Sequence, residues 1–246
     1  MILRLAFFFI LFPFLGCTNS DADVEILPVL EWEGQSLVLN QDVNRNGQSL
    51  RFTEISFYIS DFHVLQGNTK SNPQGISLIK NGEGRFWGVV PQSAIPDTFY
   101  FSLGVPNSLN DSTGSLAIPA WQYGDEHPLS AAQNMYWSWK PGYVFMKLEG
   151  RIDLDGDGQY MSAGETFSIH TGLNSLLRVI SLPNPSAELA SKYALKMDLA
   201  RLLEGYDMQG DGLNVHAMSS TDADYARAEY ISNRLASAFY ALEAIP

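Results

Sequence analysis

Two acidic loops flanked by short apolar runs constrain this chain more than any other feature. In one, Asp153, Asp155 and Asp157 fall at every second residue, Gly158 follows, and Glu165 lies 12 residues after Asp153. A tight turn lets alternate side chains converge on one ion, so this is the spacing of a loop for a hard cation such as calcium, with an oxygen near Gln159 as a further ligand. In the other, Asp42, Asn44, Asn46 and Gln48 repeat the spacing, and Glu54 again follows by 12. The helical calcium hand places its bidentate Glu one residue earlier and a helix on each side. Here the flanks are runs such as Tyr143 to Glu149 and Phe167 to His170, too short for helices and rich in β-formers. Asn-Gly and Asp-Gly pairs also make plain hairpin turns, so each loop reads either as a calcium site or as a turn.

Strand-like runs continue through the chain. Leu27 to Leu39 contains an opening strand, Arg51 to Leu65 one or two more, and Ile76 to Val90 two runs about an Asn81-Gly82 turn, with Phe86 and Trp87 as core. Thr98 to Val105, Leu173 to Leu182 and Ala194 to Leu203 add others, separated by a turn-rich excursion from Pro106 to Gln133. Only the last segment has helical spacing, through Tyr230, Ile231, Leu235, Ala238, Phe239 and Leu242. Ser220 or Thr221 can cap it, and Asp222 and Asp224 suit its positive end. The fold class is therefore mainly β, an antiparallel sandwich or distorted barrel with a C-terminal α-helix.

The amino terminus reads as an export signal. Arg4 precedes an apolar run from Leu5 to Leu15 that is too short for a permanent span, and Leu15-Gly16-Cys17 fits the cut site of a lipoprotein. Cys17 is the only cysteine in the chain, so it is the expected lipidation site and leaves none for an internal disulfide. The organisation expected is a signal peptide over 1–16, a lipidated tether over 17–24 and one β domain over 25–246, held at the membrane in the bacterial envelope, in the periplasm or at the outer membrane. The net charge of −12 fits cation binding and argues against nucleic acid, since no basic patch exists to neutralise phosphates.

Motifs for several enzyme classes are absent. There is no Gly-x-Ser-x-Gly elbow, no phosphate loop, no His-Glu-x-x-His and no dinucleotide fingerprint, so no catalytic residue is assigned. What remains is metal and aromatic chemistry. His170 ends a strand-like run and His216 lies just ahead of the helix, with the thioether of Met218 two residues on. Imidazole and thioether suit copper, although two unrelated hydrogen-bonded histidines would look the same in sequence. His63, within the Arg51 to Leu65 run, is another candidate ligand or a structural histidine.

The blocks RFTEISFYISDF, FSLGVP with Asn110 beyond it, MYWSWKPGYVFMKLEG, FSIHTG and HAMSS together resemble the MbnP family of bacterial exported copper-associated proteins. The resemblance covers nearly the whole mature chain and implies a β-rich fold. It also implies copper held by histidines, here His170 and His216, beside a tryptophan oxidised to kynurenine by a di-haem, peroxidase-like partner, MbnH. Trp137 and Trp139 match the family's aromatic block and are candidates for that residue, with core packing the other role open to them. The cysteines that some relatives carry near the histidine strand are replaced by Leu173 to Leu177. Two functions follow. One is a copper-handling lipoprotein with calcium-stiffened loops. The other is a calcium-stabilised surface module for carbohydrate or protein, using Trp87, Trp121, Trp137 and Trp139 as stacking faces. Neutral imidazoles bind copper, so affinity is expected to fall as pH drops through the ordinary histidine range near about 6.5.

Overall fold

The computed structural model describes residues 21–72, 74–91, 95–110, 118–137 and 142–246. In chain order its elements are β1 (Asp21–Trp32), β2 (Gln35–Ser36), β3 (Asp42–Arg45), β4 (Gln48–Gln66), β5 (Thr69–Lys70), β6 (Gln74–Lys80), β7 (Phe86–Pro91), β8 (Thr98–Leu103) and α1 (Asn107–Asn110). Then come β9 (Met146–Ile152), β10 (Thr166–Thr171), β11 (Arg178–Pro183), β12 (Lys192–Asp198), α2 (Leu199–Leu202), β13 (Asn214–His216), α3 (Tyr225–Ala238) and β14 (Phe239–Ala244). Among the described residues the strands form two sheets curled into a half-barrel. The smaller runs β14-β12-β1-β2 with β7 also on β1; the larger runs β11-β8-β4-β9-β10-β13 with β3, β5 and β6 also on β4.

The mainly β expectation holds, with two departures in pairing. β1 with β12, and β10 with β13, run parallel. The second of these matters for function, because a parallel pair lets a late strand lay its side chains beside those of a strand made much earlier in the chain.

Strand β4 organises the larger sheet. Between irregularities at Phe52/Glu54 and Ser60/His63 its residues alternate faces, so Ile55, Phe57 and Ile59 point to one side and Glu54, Ser56 and Tyr58 to the other. The first set enters the core between the sheets. Phe239 of β14 packs edge-on against Phe57 at 5.6 Å and Phe101 at 5.8 Å, and Phe99 meets Tyr193 at 5.0 Å, joining the two layers. Phe57, Phe99, Phe101 and Phe239 are each fully buried, which stabilises by roughly 1.5–3 kcal/mol per side chain. The opposite face is covered at one end by a second cluster of Tyr58, Val105, Met135, Trp137, Tyr143 and Phe145, in which Tyr58 meets Tyr143 edge-on at 6.0 Å. The turn-rich excursion contributes Ala120 and Leu129 to this cluster.

Several local expectations are corrected. β1 begins at Asp21 with Val24 buried, so the last residues assigned to the tether belong to the sheet. The Asn81-Gly82 turn forms, with both residues at positive φ, but its flanks are not a hairpin: β6 pairs with β4 and β7 with β1. Trp87 is 53% exposed rather than core, because it faces away from its buried neighbour Phe86. The run from Ala194 leaves the sheet at Asp198, whose carboxylate accepts from the Ala200 N–H and starts α2. Helix α3 begins at Tyr225, and Phe239 and Leu242, expected on its apolar stripe, lie instead on β14. No helix among the described residues is long and apolar enough to cross a membrane.

Candidate metal centre

The period of two fixes the site. On β9, β10 and β13 the residues Leu148, Ile169 and Val215 face the core and are fully buried, so their neighbours must face outward. The register then aligns Glu149 with Ser168 and Ser168 with Asn214, and in the next row Lys147 with His170 and His170 with His216. On the other side β4 adds Glu54 opposite Glu149 and Ser56 opposite Lys147. A polar stripe thus crosses four strands of the outer face, beside the cluster that covers Tyr58.

Within it the two imidazoles meet. The His170 and His216 rings stack at 4.4 Å between centroids and 10° between planes. Ser168 Oγ lies 3.1 Å from His170 Nε2 and 3.0 Å from His216 Nε2, so the two nitrogens converge on one point. Glu149 Oε1 lies 2.9 Å from the same His170 nitrogen. A carboxylate only accepts, so neutral His170 donates its Nε2–H to Glu149, and the Ser168 hydroxyl donates to His216. Burial, and then the nearby His216, push the His170 imidazole down to about 4. Its contact with Glu149 acts the other way without prevailing. His170 is therefore neutral well below the ordinary imidazole range.

Lys147 anchors the stripe. Its side chain is 7% exposed, and its ammonium reaches Glu54 at 3.3 Å and Glu149 at 3.6 Å. A buried ammonium is tolerated only when paired, so these carboxylates are held toward it. Backbone tethers fix the rest: the His216 N–H donates to Asp224 at 3.0 Å, and Met218 and Ser219 N–H donate to Asp222 at 2.6 and 2.8 Å. Neither Ser220 nor Thr221 caps α3; Asp224 stands at the cap position with its carboxylate turned to His216.

The donor set fits copper in kind. Two imidazole nitrogens lie beside a hydroxyl and a carboxylate, on a face reached through the partly exposed His216. Metal–nitrogen bonds of about 2 Å are shorter than the 3.1 and 3.0 Å contacts to Ser168, so His170 and His216 would have to move toward each other to hold one ion. His63 does not join them. It lies far along β4, paired with Tyr100, its ring stacked on that tyrosine at 4.9 Å and its Nδ1 2.8 Å from the Asp61 carbonyl. Met218 follows His216 after β13 has ended. Trp137 is 5% exposed and packs over Gly172, two residues beyond His170, while Trp139 and Cys17 lie outside the described residues.

The two acidic loops sit side by side at the far end of the same sheet. Asp153, Asp155 and Glu165 bring carboxylate oxygens within 4.8 Å of one another, a set the more open His170, His216 and Glu149 group does not match. Backbone N–H groups also engage them: Gly156 and Gly158 donate to Asp153, Leu154 and Ser162 to Glu165. The Ser162 hydroxyl holds the Asp155 carboxyl below its usual range. Asp157 lies outside this set, accepting from the Gln159 N–H at 2.7 Å.

The Asp42 loop is a hairpin whose oxygens have other partners. Asp42 pairs with Arg51 at 2.7 Å and accepts from Tyr160, and Asn44 closes the turn on the Gly47 N–H. Asn46 holds positive φ, Gln48 pairs with Arg45, and Glu54 belongs to the Lys147 stripe. The structure therefore does not gather Asp42, Asn44, Asn46, Gln48 and Glu54. Of the four expected stacking faces, Trp87 and Trp121 are exposed and Trp137 is buried.

Ser168, Glu149 and Lys147 escaped the sequence reading. Their signal was present: Lys147 and Glu149 are charged residues at alternate positions of an apolar run, and Ser168 precedes His170 by two.

A family model described as MbnP matches residues 21–219. Among solved structures, MbnP from Methylosinus trichosporium matches with a TM-score of 0.57 and 15% identity, covering 85% of this chain and 87% of that one. At that identity the likeness speaks for the fold. A search of curated proteins found no match.

Proposed function

The chain belongs to the MbnP family, and from that premise we propose that it is an exported copper-binding protein whose ion is held by His170 and His216. Family membership implies an exported protein with a copper-associated role. The observation that carries the finer reading is the convergence of two Nε2 atoms on the Ser168 hydroxyl. One imidazole is kept neutral by burial, and both sit on rigid strands, so little ordering is needed when an ion arrives. Copper when bound supplies redox and ligand-exchange chemistry; the protein orients the rings and limits access. We assign it handling or storage rather than catalysis, with Asp153, Asp155 and Glu165 as a calcium loop that stiffens the sheet.

The same reading includes attachment through acylated Cys17 and maturation by a di-haem partner, which would alter the mass of a tryptophan-containing peptide. Competition titration with copper tests the central part. His170→Gln and His216→Gln are each expected to weaken binding by about 100-fold or more, with the fold intact by circular dichroism. Wild-type affinity in both variants would overturn the assignment.

A further inference from the structure

We propose that the groove between the loop at 205–207 and helix α3 binds a neutral saccharide; this goes beyond the copper reading and does not rest on it. The groove has a volume of about 390 Å³, within the range of small-molecule sites, about 300–1,000 Å³. One wall is the loop that follows α2. Arg45 of β3 pins it by donating to the carbonyls of Leu203, at 3.1 Å, and Tyr206. The other wall is a stripe of α3. Ala228, Ile231 and Leu235 turn to the core, which leaves Ala226, Arg227 and Tyr230 to line the groove. Both walls are therefore set before a ligand arrives.

The lining selects its ligand by chemistry. The rings of Tyr206 and Tyr230 stand 5.9 Å apart at 41°, and their hydroxyls are engaged, donating to the carbonyls of Gly212 at 2.9 Å and Glu204 at 2.7 Å. What these residues offer a ligand is thus mainly ring surface, and Tyr230 is 38% exposed. The ion pairs of Arg227 among the described residues, to Asp211 and Asp224, are both 3.7 Å long. That is too long for a hydrogen bond, so the guanidinium has N–H groups to donate to a ligand. Asp207, exposed on the loop wall, supplies acceptors.

Charge is near balance. Arg227 stands against Asp211 and Asp224, and Arg45 interacts with Asp207, so neither an anion nor a cation finds a large excess of the opposite sign. Ring surface beside separate donors and acceptors suits a pyranose, whose C–H face lies on an aromatic ring while its hydroxyls both donate and accept. A phosphate would engage Arg227 alone, and a quaternary ammonium the rings alone. The stacking rings here belong to tyrosines, not to the tryptophans expected from sequence.

The test titrates the metal-free mature chain, labelled with nitrogen-15, with cellobiose, maltose and N,N′-diacetylchitobiose up to about 10 mM. At least one sugar should shift the amides of 205–207 and 226–230 saturably, and Tyr230→Ala should weaken that binding at least about 10-fold. Because Tyr230 also holds the Glu204 carbonyl, Ala226→Gln serves as a second variant: the position is an exposed one on α3, and the longer side chain fills the groove. It too should weaken binding, with the fold intact by circular dichroism. Absence of saturable shifts with all three sugars, shifts confined to the surroundings of Trp87 or Trp121, or wild-type affinity in both variants overturns the inference. Tighter binding of inorganic phosphate or choline in the same groove overturns the neutral class. Since no copper is present, none of these outcomes bears on the histidine centre.

Discussion

His170 and His216 are register partners on parallel strands, their rings stacked at 4.4 Å although 46 residues separate them in sequence. This juxtaposition depends on β13, a three-residue strand that the Asp224 carboxylate ties down through the His216 N–H. Geometry of this kind exposes its own dependencies to measurement.

The pH dependence follows from the depressed His170 proton affinity. In the unfolded chain the ring takes up its proton below about 6.5, and in the folded protein only below about 4. Between those values the unfolded state holds more protons, so stability falls as pH drops across the window and levels off beneath it. Chemical denaturation from pH 7 to pH 4 should show this slope, reduced in His170→Gln. A ring resonance of His170 titrating near the ordinary value by NMR would contradict it.

Calcium should raise the melting temperature. An ion present at 100-fold over its dissociation constant stabilises by about 2.7 kcal/mol, or about 5–10 °C for a chain of this size. Asp155→Ala, which removes one of the three gathered carboxylates, should abolish the increment. Coincident melting curves with calcium and with chelator would reduce the loop to a hydrogen-bonded turn.

Gly172→Ala probes the contact between the tryptophan cluster and the histidine strand. An added Cβ would lie 2.5 Å from the Tyr143 carbonyl and 2.8 Å from the Trp137 ring, closer than atoms pack. Relief requires movement of backbone as well as ring, so the variant should lose about 1–3 kcal/mol in urea unfolding and shift its tryptophan emission. Wild-type stability and emission would mean that Trp137 is not seated there.

Much of the fold was readable because the strands are short apolar runs bounded by turn residues, and the cluster of Asp153, Asp155 and Glu165 because its carboxylates are close in sequence. The long-range pairing was not. Nothing local distinguishes Asn81-Gly82 as a crossover between sheets rather than a hairpin, since the turn is the same and only the destinations of β6 and β7 differ. Phe239 and Leu242 fit a helical stripe, yet pairing with β12 draws them into a strand. The spacing of His170 and His216 gives no sign that their rings stack, and Glu54, which follows Asp42 by 12 residues, faces Lys147 instead of that loop. Its partner Lys147 lies 93 residues away and is brought to it only by the β4–β9 register.

Copper K-edge X-ray absorption on protein loaded with one equivalent of copper tests the central claim most directly. The account predicts imidazole scattering from two histidines at about 2 Å, reduced to one in either His170→Gln or His216→Gln. A spectrum without histidine scattering, or one left unchanged by both substitutions, would contradict it.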